Sequence, residues 1–211
     1  MFNIEQLIAQ VDKTLRVLIP ASQQTKSERP SPASQLAEPI LNAAEEKYIA
    51  GLMRVNHSGE VCAQALYQGQ ALTAQLDAVR AEMQKAAIEE IDHLAWCEER
   101  LKELKARPSL LNPVWYIGSF IIGATAGLLG DKWSLGFVAE TETQVGTHLQ
   151  KHLTVLPKQD EKTRAILQQM YEDESQHAET ARQHGAKELP FLIKETMQTI
   201  SKIMTFTSFY F

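Results

Sequence analysis

From Asn42 onward, apolar residues recur every three to four positions along most of the chain, the spacing of helices that each bury one face. Asn42 with Glu45 three residues later has the form of a capping box and opens a helix predicted over 42–73. A second is predicted over 76–105, stopping before Pro108, and a third over 131–155, ahead of Pro157. A fourth runs over 160–183 and closes at Gly185, and a short fifth covers 188–205. β-branched alternation broken by Asn-Gly or Asp-Gly turns, the mark of strands, is absent.

Ahead of these, Ile4, Leu7, Ile8, Val11, Leu15 and Leu18 predict an amphipathic head helix. Four prolines between Pro20 and Pro39, among Ser and Gln, predict a mobile linker. The first twenty residues carry Glu5 and Asp12 and do not read as a secretory signal. The division expected is a head helix with a Pro/Ser-rich linker over 1–41 and one domain over 42–211. Four long helices with a long excursion between the second and third predict an all-α, ferritin-like four-helix bundle with an apolar crossover and extra terminal helices.

That excursion, Pro108 to Gly130, contains no charged residue. Its length raises the question of a membrane span, but Asn112, Pro113 and four glycines dilute it. If the two hairpins stay together, both of its ends are expected to return to the same end of the bundle. Trp115, Tyr116 and Trp133 at its margins fit an interfacial anchor; a buried crossover helix and a true span stand as the other two readings. The aromatic C-terminus, Phe206 to Phe211, either joins that surface or packs on the bundle.

The chemistry lies in a spaced set of carboxylates and histidines. Glu90 and His93 form Glu-x-x-His, as do Glu174 and His177, and an i, i+3 pair shares one helix face. One such motif alone is common on solvated helices. Here each has a lone Glu on the preceding helix: Glu60, 30 residues before Glu90, and Glu142, 32 before Glu174. Each pair is equidistant from its predicted turn, roughly 22 Å away at 1.5 Å per residue, so all six side chains can share one layer. Their faces are apolar: Met83, Ala86, Leu94 and Cys97 flank Glu90, and Val138, Val145 and Leu149 flank Glu142, whereas neighbouring Glu140 has a polar flank.

Unpaired buried carboxylates cost several kcal/mol each. Two divalent cations would neutralise four of them, and mixed carboxylate and imidazole donors suit iron, or manganese, better than zinc. The acidic residues preceding the motifs, Glu89 and Asp173, can hold the ligand histidines from outside. His148, six residues past Glu142, can face a substrate, while His57, His152 and His184 read as surface or satisfied core residues.

Composition removes other classes. The formal charge of −5 lacks the basic stripe of a nucleic-acid binder. The two cysteines, Cys62 and Cys97, lie 35 positions apart, which excludes a disulfide framework, a zinc ribbon or a rubredoxin-type iron site. No flavin, haem or dinucleotide fingerprint is visible, so electrons for redox chemistry would come from a reduced substrate, from NADH without a dedicated domain, or from a partner.

The strings LMRVNHSGEVCA (52–63), EEIDH (89–93), FVAETETQVGTH (137–148) and DESQH (173–177) resemble the demethoxyubiquinone hydroxylases, di-iron monooxygenases of ubiquinone biosynthesis, over about residues 42–205. The resemblance implies iron ligands at Glu60, Glu90, His93, Glu142, Glu174 and His177, two irons per chain, and O2-dependent hydroxylation of a polyprenylated 6-methoxy-benzoquinol. It also implies a peripheral protein on the cytoplasmic face of the cell membrane, in contact with lipid and with other ubiquinone-biosynthesis proteins. Members often carry a tyrosine directly after the histidine matching His148; this chain has Leu149, so tyrosine-assisted electron transfer is not implied. A ferroxidase or iron-storage protein, and a non-catalytic membrane-associated helical protein, remain as alternatives.

Overall fold

The computed structural model describes residues 11, 12, 14, 15, 17, 18 and 29–211. Six helices are bounded within it: α1 (Ala43–Thr73), α2 (Asp77–Glu103), α3 (Asn112–Leu128), α4 (Asp131–Val155), α5 (Glu161–Gln183) and α6 (Phe191–Tyr210). The all-α expectation holds, and no strand occurs among the described residues. Ile4, Leu7 and Ile8 of the expected head helix lie outside them, as do residues 19–28, while 11, 12, 14, 15, 17 and 18 are helical. Val17 is buried with Val61, Ala65, Leu94 and Tyr116, and the Thr14 hydroxyl lies 2.9 Å from that of Tyr116.

Local chemistry sets the helix ends. Asn42 Oδ1 accepts from the backbone N–H groups of Ala44 and Glu45, and Glu45 returns an acceptor to Asn42 N at 2.9 Å, completing the capping box. Asp160 caps α5 by accepting from Thr163 N at 3.0 Å. The last helix departs from the predicted 188–205. It starts after Pro190, because a residue before proline is driven out of the α region. It then continues through the aromatic tail, where Phe209 packs over Gly51 and its carbonyl accepts from Arg54 at 2.6 Å. Phe206, Tyr210 and Phe211 stay exposed.

α1 and α2 form one antiparallel hairpin and α4 and α5 another. The stretch between them corrects the sequence reading: its ends do not return to the same end of the molecule. α3 runs parallel to α1, from Asn112 beside Ser58 to Gly127 beside Thr73, so the chain is carried the length of the hairpin before α4 begins. Asp131, the first residue of α4, then accepts from Gln75 N and Leu76 N at 3.0 and 2.8 Å, fastening the α1–α2 turn. At the far end, buried Arg100 of α2 reaches Asp160 at the α4–α5 turn at 3.1 Å and Glu38 ahead of α1 at 2.9 Å. Residues 29–38, predicted as linker, thus lie against the helices, with Ala33 in the core.

The core is divided. Ile49, Met53, Trp96, Leu101, Leu149, Leu167 and Met170 form one apolar cluster, and Tyr67, Met83, Leu135, Val138 and Ala181 another. The carboxylates lie between the two. No helix among the described residues is long and apolar enough to cross a membrane.

Close approach of α1 and α3 depends on glycine. A Cβ on Gly69 would strike the Phe120 carbonyl, and one on Gly123 would strike that of Leu66. Helix propensity alone would make Gly123→Ala stabilising by about 1 kcal/mol; the backbone clash opposes it by more. The expected result is net destabilisation of about 2 kcal/mol in chemical denaturation. A more stable variant would show that α1 and α3 are not in contact at this point.

Candidate metal centre

Helix geometry brings the six predicted ligands to one depth. Glu60 lies 13 residues before the end of α1, and Glu90 lies 13 after the start of α2. Glu142 lies 11 residues into α4, and Glu174 nine before the end of α5. Because α3 returns the chain to the α1–α2 turn, all four distances are counted from the same end.

Donor atoms of Glu60, Glu90, His93 and Glu174 fall within 4.8 Å of one another, and all four residues are buried. His93 Nδ1 is 2.9 Å from Glu90, 3.1 Å from Glu174 and 3.7 Å from Glu60. His177 Nδ1 lies 3.3 Å from both Glu90 and Glu174. Glu142 borders the group through a carboxyl–carboxyl contact with Glu174 and accepts a hydrogen bond from the Tyr67 hydroxyl. Neighbouring Glu140 instead pairs with Lys194 at 3.4 Å.

The acidic residues before the motifs reach across the centre rather than along their own helices. Asp173 of α5 holds His93 Nε2 of α2 at 2.8 Å, and Glu89 of α2 holds His177 Nε2 of α5 at 2.8 Å. Each carboxylate takes the outer N–H and so leaves Nδ1 facing inward as the donor.

Electrostatics split the carboxylates. Burial pushes Glu60 and Glu142 well above the usual range, so both are held protonated. Burial also works to raise Glu90 and Glu174, with Glu90 adding to it at Glu174, but ion pairing with the two histidines outweighs this and keeps both ionised. The carboxylates in turn overcome burial at the imidazoles: His93 is raised well above its ordinary value and His177 to about 12. The cluster therefore balances as two imidazolium ions against two carboxylates. Two divalent cations replacing four protons would leave it balanced. Glu90 Oε1, though 3.3 Å from His177, makes no hydrogen bond, and it is a buried acceptor aimed into the cluster. This donor set fits a pair of divalent metal ions.

Two cavities flank the centre. The larger, about 460 Å³, is walled by α1, α3, α4 and α6 and is apolar, with Leu66, Ile122, Val145, Met197 and Met204 leading in to Glu60. His148 sits on its wall with Nε2 unbonded, and Leu149 is buried beside it. The smaller, about 410 Å³, is the more polar of the two, with Glu89, Asp92, Asp173 and His177 on its wall. Of the remaining histidines, His57 is buried against Asn112 at 3.1 Å, His152 meets His148 edge-on with Nδ1 unbonded, and His184 is exposed.

Sequence reasoning missed two side chains that touch this site. Tyr67 lies seven residues past Glu60, two helical turns along the same face, a spacing that could have revealed it. Arg29 bonds Asp92 and Asp173 from the segment ahead of α1, and no periodicity there could have announced that.

The chain matches the family model for ubiquinone biosynthesis protein COQ7 over residues 47–208. It is 60% identical over 207 residues to the 3-demethoxyubiquinol 3-hydroxylase of Legionella pneumophila strain Paris, covering 98% of this chain and 97% of the relative. It is likewise 60% identical over 208 residues to the protein of that name from Acinetobacter baumannii strain ATCC 17978, covering 99% and 97%. The resemblance read from the four motif strings holds, and the chain belongs to the COQ7 family of ubiquinone biosynthesis proteins.

Proposed function

We propose that this protein is a 3-demethoxyubiquinol 3-hydroxylase, a monooxygenase that places one oxygen atom of O2 on the ring of a polyprenylated 6-methoxy-benzoquinol. The observation that carries the reading is the convergence of four glutamates and two histidines from α1, α2, α4 and α5 beside an apolar cavity. Two iron ions held by Glu60, Glu90, His93, Glu142, Glu174 and His177 would supply O2 activation when bound. The chain's own residues do the rest. Asp173 and Glu89 fix the imidazoles, Tyr67 orients Glu142, and the apolar walls hold the quinol ring near Glu60 while excluding water. A ferroxidase would use the same donors but leaves the cavity without an occupant.

The substrate's polyprenyl tail lives in a bilayer, and the mouth of the cavity has matching surfaces. Val114, Ile117 and Ile121 on α3 and Leu192, Ile200 and Ile203 on α6 are exposed. Peripheral attachment through these faces, on the cytoplasmic side of the cell membrane, would let the tail remain in lipid while the ring enters.

The decisive experiment is quinone profiling by mass spectrometry in a bacterial strain deleted for its own hydroxylase. Expression of this chain is expected to restore ubiquinone and clear the demethoxy intermediate; Glu142→Ala and His177→Ala are expected to do neither while remaining helical. Accumulation of the intermediate despite well-folded protein would sink the assignment. The apolar wall has its own test. Met197→Glu should lower kcat/KM for a long-tailed quinol about 30-fold, from burying a charge, and change turnover of a short-tailed analogue far less. Equal losses for both would remove the tail from this cavity.

Metal uptake should depend on pH. Glu60, Glu142, His93 and His177 are raised and carry protons at pH 7 in the metal-free protein, so ions must displace them. Titration calorimetry in buffers of different ionisation enthalpy should find about four protons released per two ferrous ions, with affinity rising as pH rises from 6 to 8. Uptake without proton release would refute this protonation pattern.

A further inference from the structure

The polar side of the centre is closed by a residue from outside the helices. Arg29 Nη2 donates to Asp173 Oδ2 at 2.8 Å, and its Nε donates to Asp92 Oδ2 at 2.9 Å. Asp92 is on α2, one residue before His93, and Asp173 is on α5, one before Glu174. A single planar guanidinium thus spans two carboxylates from different hairpins. Its own placement is fixed: Trp96 Nε1 donates to the Arg29 carbonyl at 3.3 Å, and the guanidinium lies 4.9 Å over the Trp96 ring. That ring also leans on His93, with centroids 5.3 Å apart.

The consequence is an asymmetry between the two histidines. Asp173 Oδ2 serves both His93 and Arg29, while its Oδ1 accepts from Gln169 at 3.0 Å, so both oxygens are engaged and the carboxylate cannot swing. Among the described residues Glu89, which holds His177, has beyond that bond only Lys85 on its own helix at 3.7 Å, and its side chain is twice as exposed as that of Asp173. His93 is wholly enclosed, and His177 is not.

We propose that Arg29 is a positioning residue of the metal centre: by bridging Asp92 and Asp173 it fixes the carboxylate that orients His93, and it makes the segment ahead of α1 part of the site. This rests on the metal reading above and not on the identity of the quinol. Lysine is a poor substitute, because a point charge on a flexible stem satisfies one carboxylate at a time. Contacts of this outer kind typically set metal affinity by about 10–100-fold.

The test is the rate at which full-length, iron-loaded protein gives up Fe(II) to excess ferrozine, with no quinol present. Asp173→Asn should speed release by roughly 10–100-fold and Arg29→Ala by about tenfold, with Arg29→Lys falling between Arg29→Ala and wild type. The Arg29→Ala/Asp173→Asn double variant should be no faster than Asp173→Asn alone, since both changes act through one carboxylate. In turnover, Arg29→Ala should lower kcat and leave KM for the quinol unchanged. Release from Arg29→Ala within twofold of wild type, or additive effects in the double variant, would overturn the proposal. So would loss of helix content in metal-free Arg29→Ala, which would make Arg29 a general structural tie. Wild-type protein that holds no iron would remove the metal reading and this proposal with it.

Discussion

Four carboxylates buried in one layer of a helical core constrain almost everything else in this molecule. Each ionised group would cost several kcal/mol without a counter-charge, and adjacent like charges add to that. The fold places an apolar cluster on each side of the layer and fills the layer with groups that can exchange protons or hold cations. Metal-free, the balance is met by protons on Glu60, Glu142 and the two histidines. An apolar layer of equal volume would be the easier way to build this bundle. The polar layer is therefore a cost that function has to explain.

The fixing of that layer comes from outside it. Asp131 tying the α1–α2 turn and Arg100 tying the α4–α5 turn hold the hairpins at opposite ends, which sets the depth at which their side chains meet. Within the layer, Asp173 and Glu89 cross between hairpins, so each histidine's orientation depends on the helix opposite. A small rotation of one hairpin would break both crossed bonds together. The arrangement is self-checking: correct register of the hairpins and correct imidazole orientation imply each other.

Much of this was legible in the sequence because helical periodicity converts spacing into depth. The 30- and 32-residue intervals, the apolar flank of Glu142 against the polar flank of Glu140, and the capping box at Asn42 all state local rules that tertiary structure did not override. The path of residues 108–130 was not legible, because a charge-free stretch fixes neither direction nor partner. Its contacts, from Asn112 beside Ser58 to Gly127 beside Thr73, show that α3 runs along α1. Arg29 was hidden for a similar reason. A lone arginine in a proline-rich segment carries no period, and its carboxylate partners lie 63 and 144 residues away.

The two sides of the centre differ in a way that bears on how a ring and a gas can reach it without water. α1 and α4 contribute only glutamates, and Glu60 faces the apolar cavity. α2 and α5 contribute Glu90, Glu174, both histidines and the acidic residues behind them; Glu89, Asp173 and His177 line the second cavity, while His93 is enclosed. Imidazoles need an outer acceptor to fix their tautomer, so they belong where carboxylates can be kept ionised, near water and Arg29. Glutamates need no such partner and can border a dry, apolar space. Keeping the histidines to α2 and α5 thus allows one face to stay rigid and polar while the other stays open to an apolar guest. On that open face Leu149 is buried beside His148, whose Nε2 is unbonded and available to a polar group of the guest.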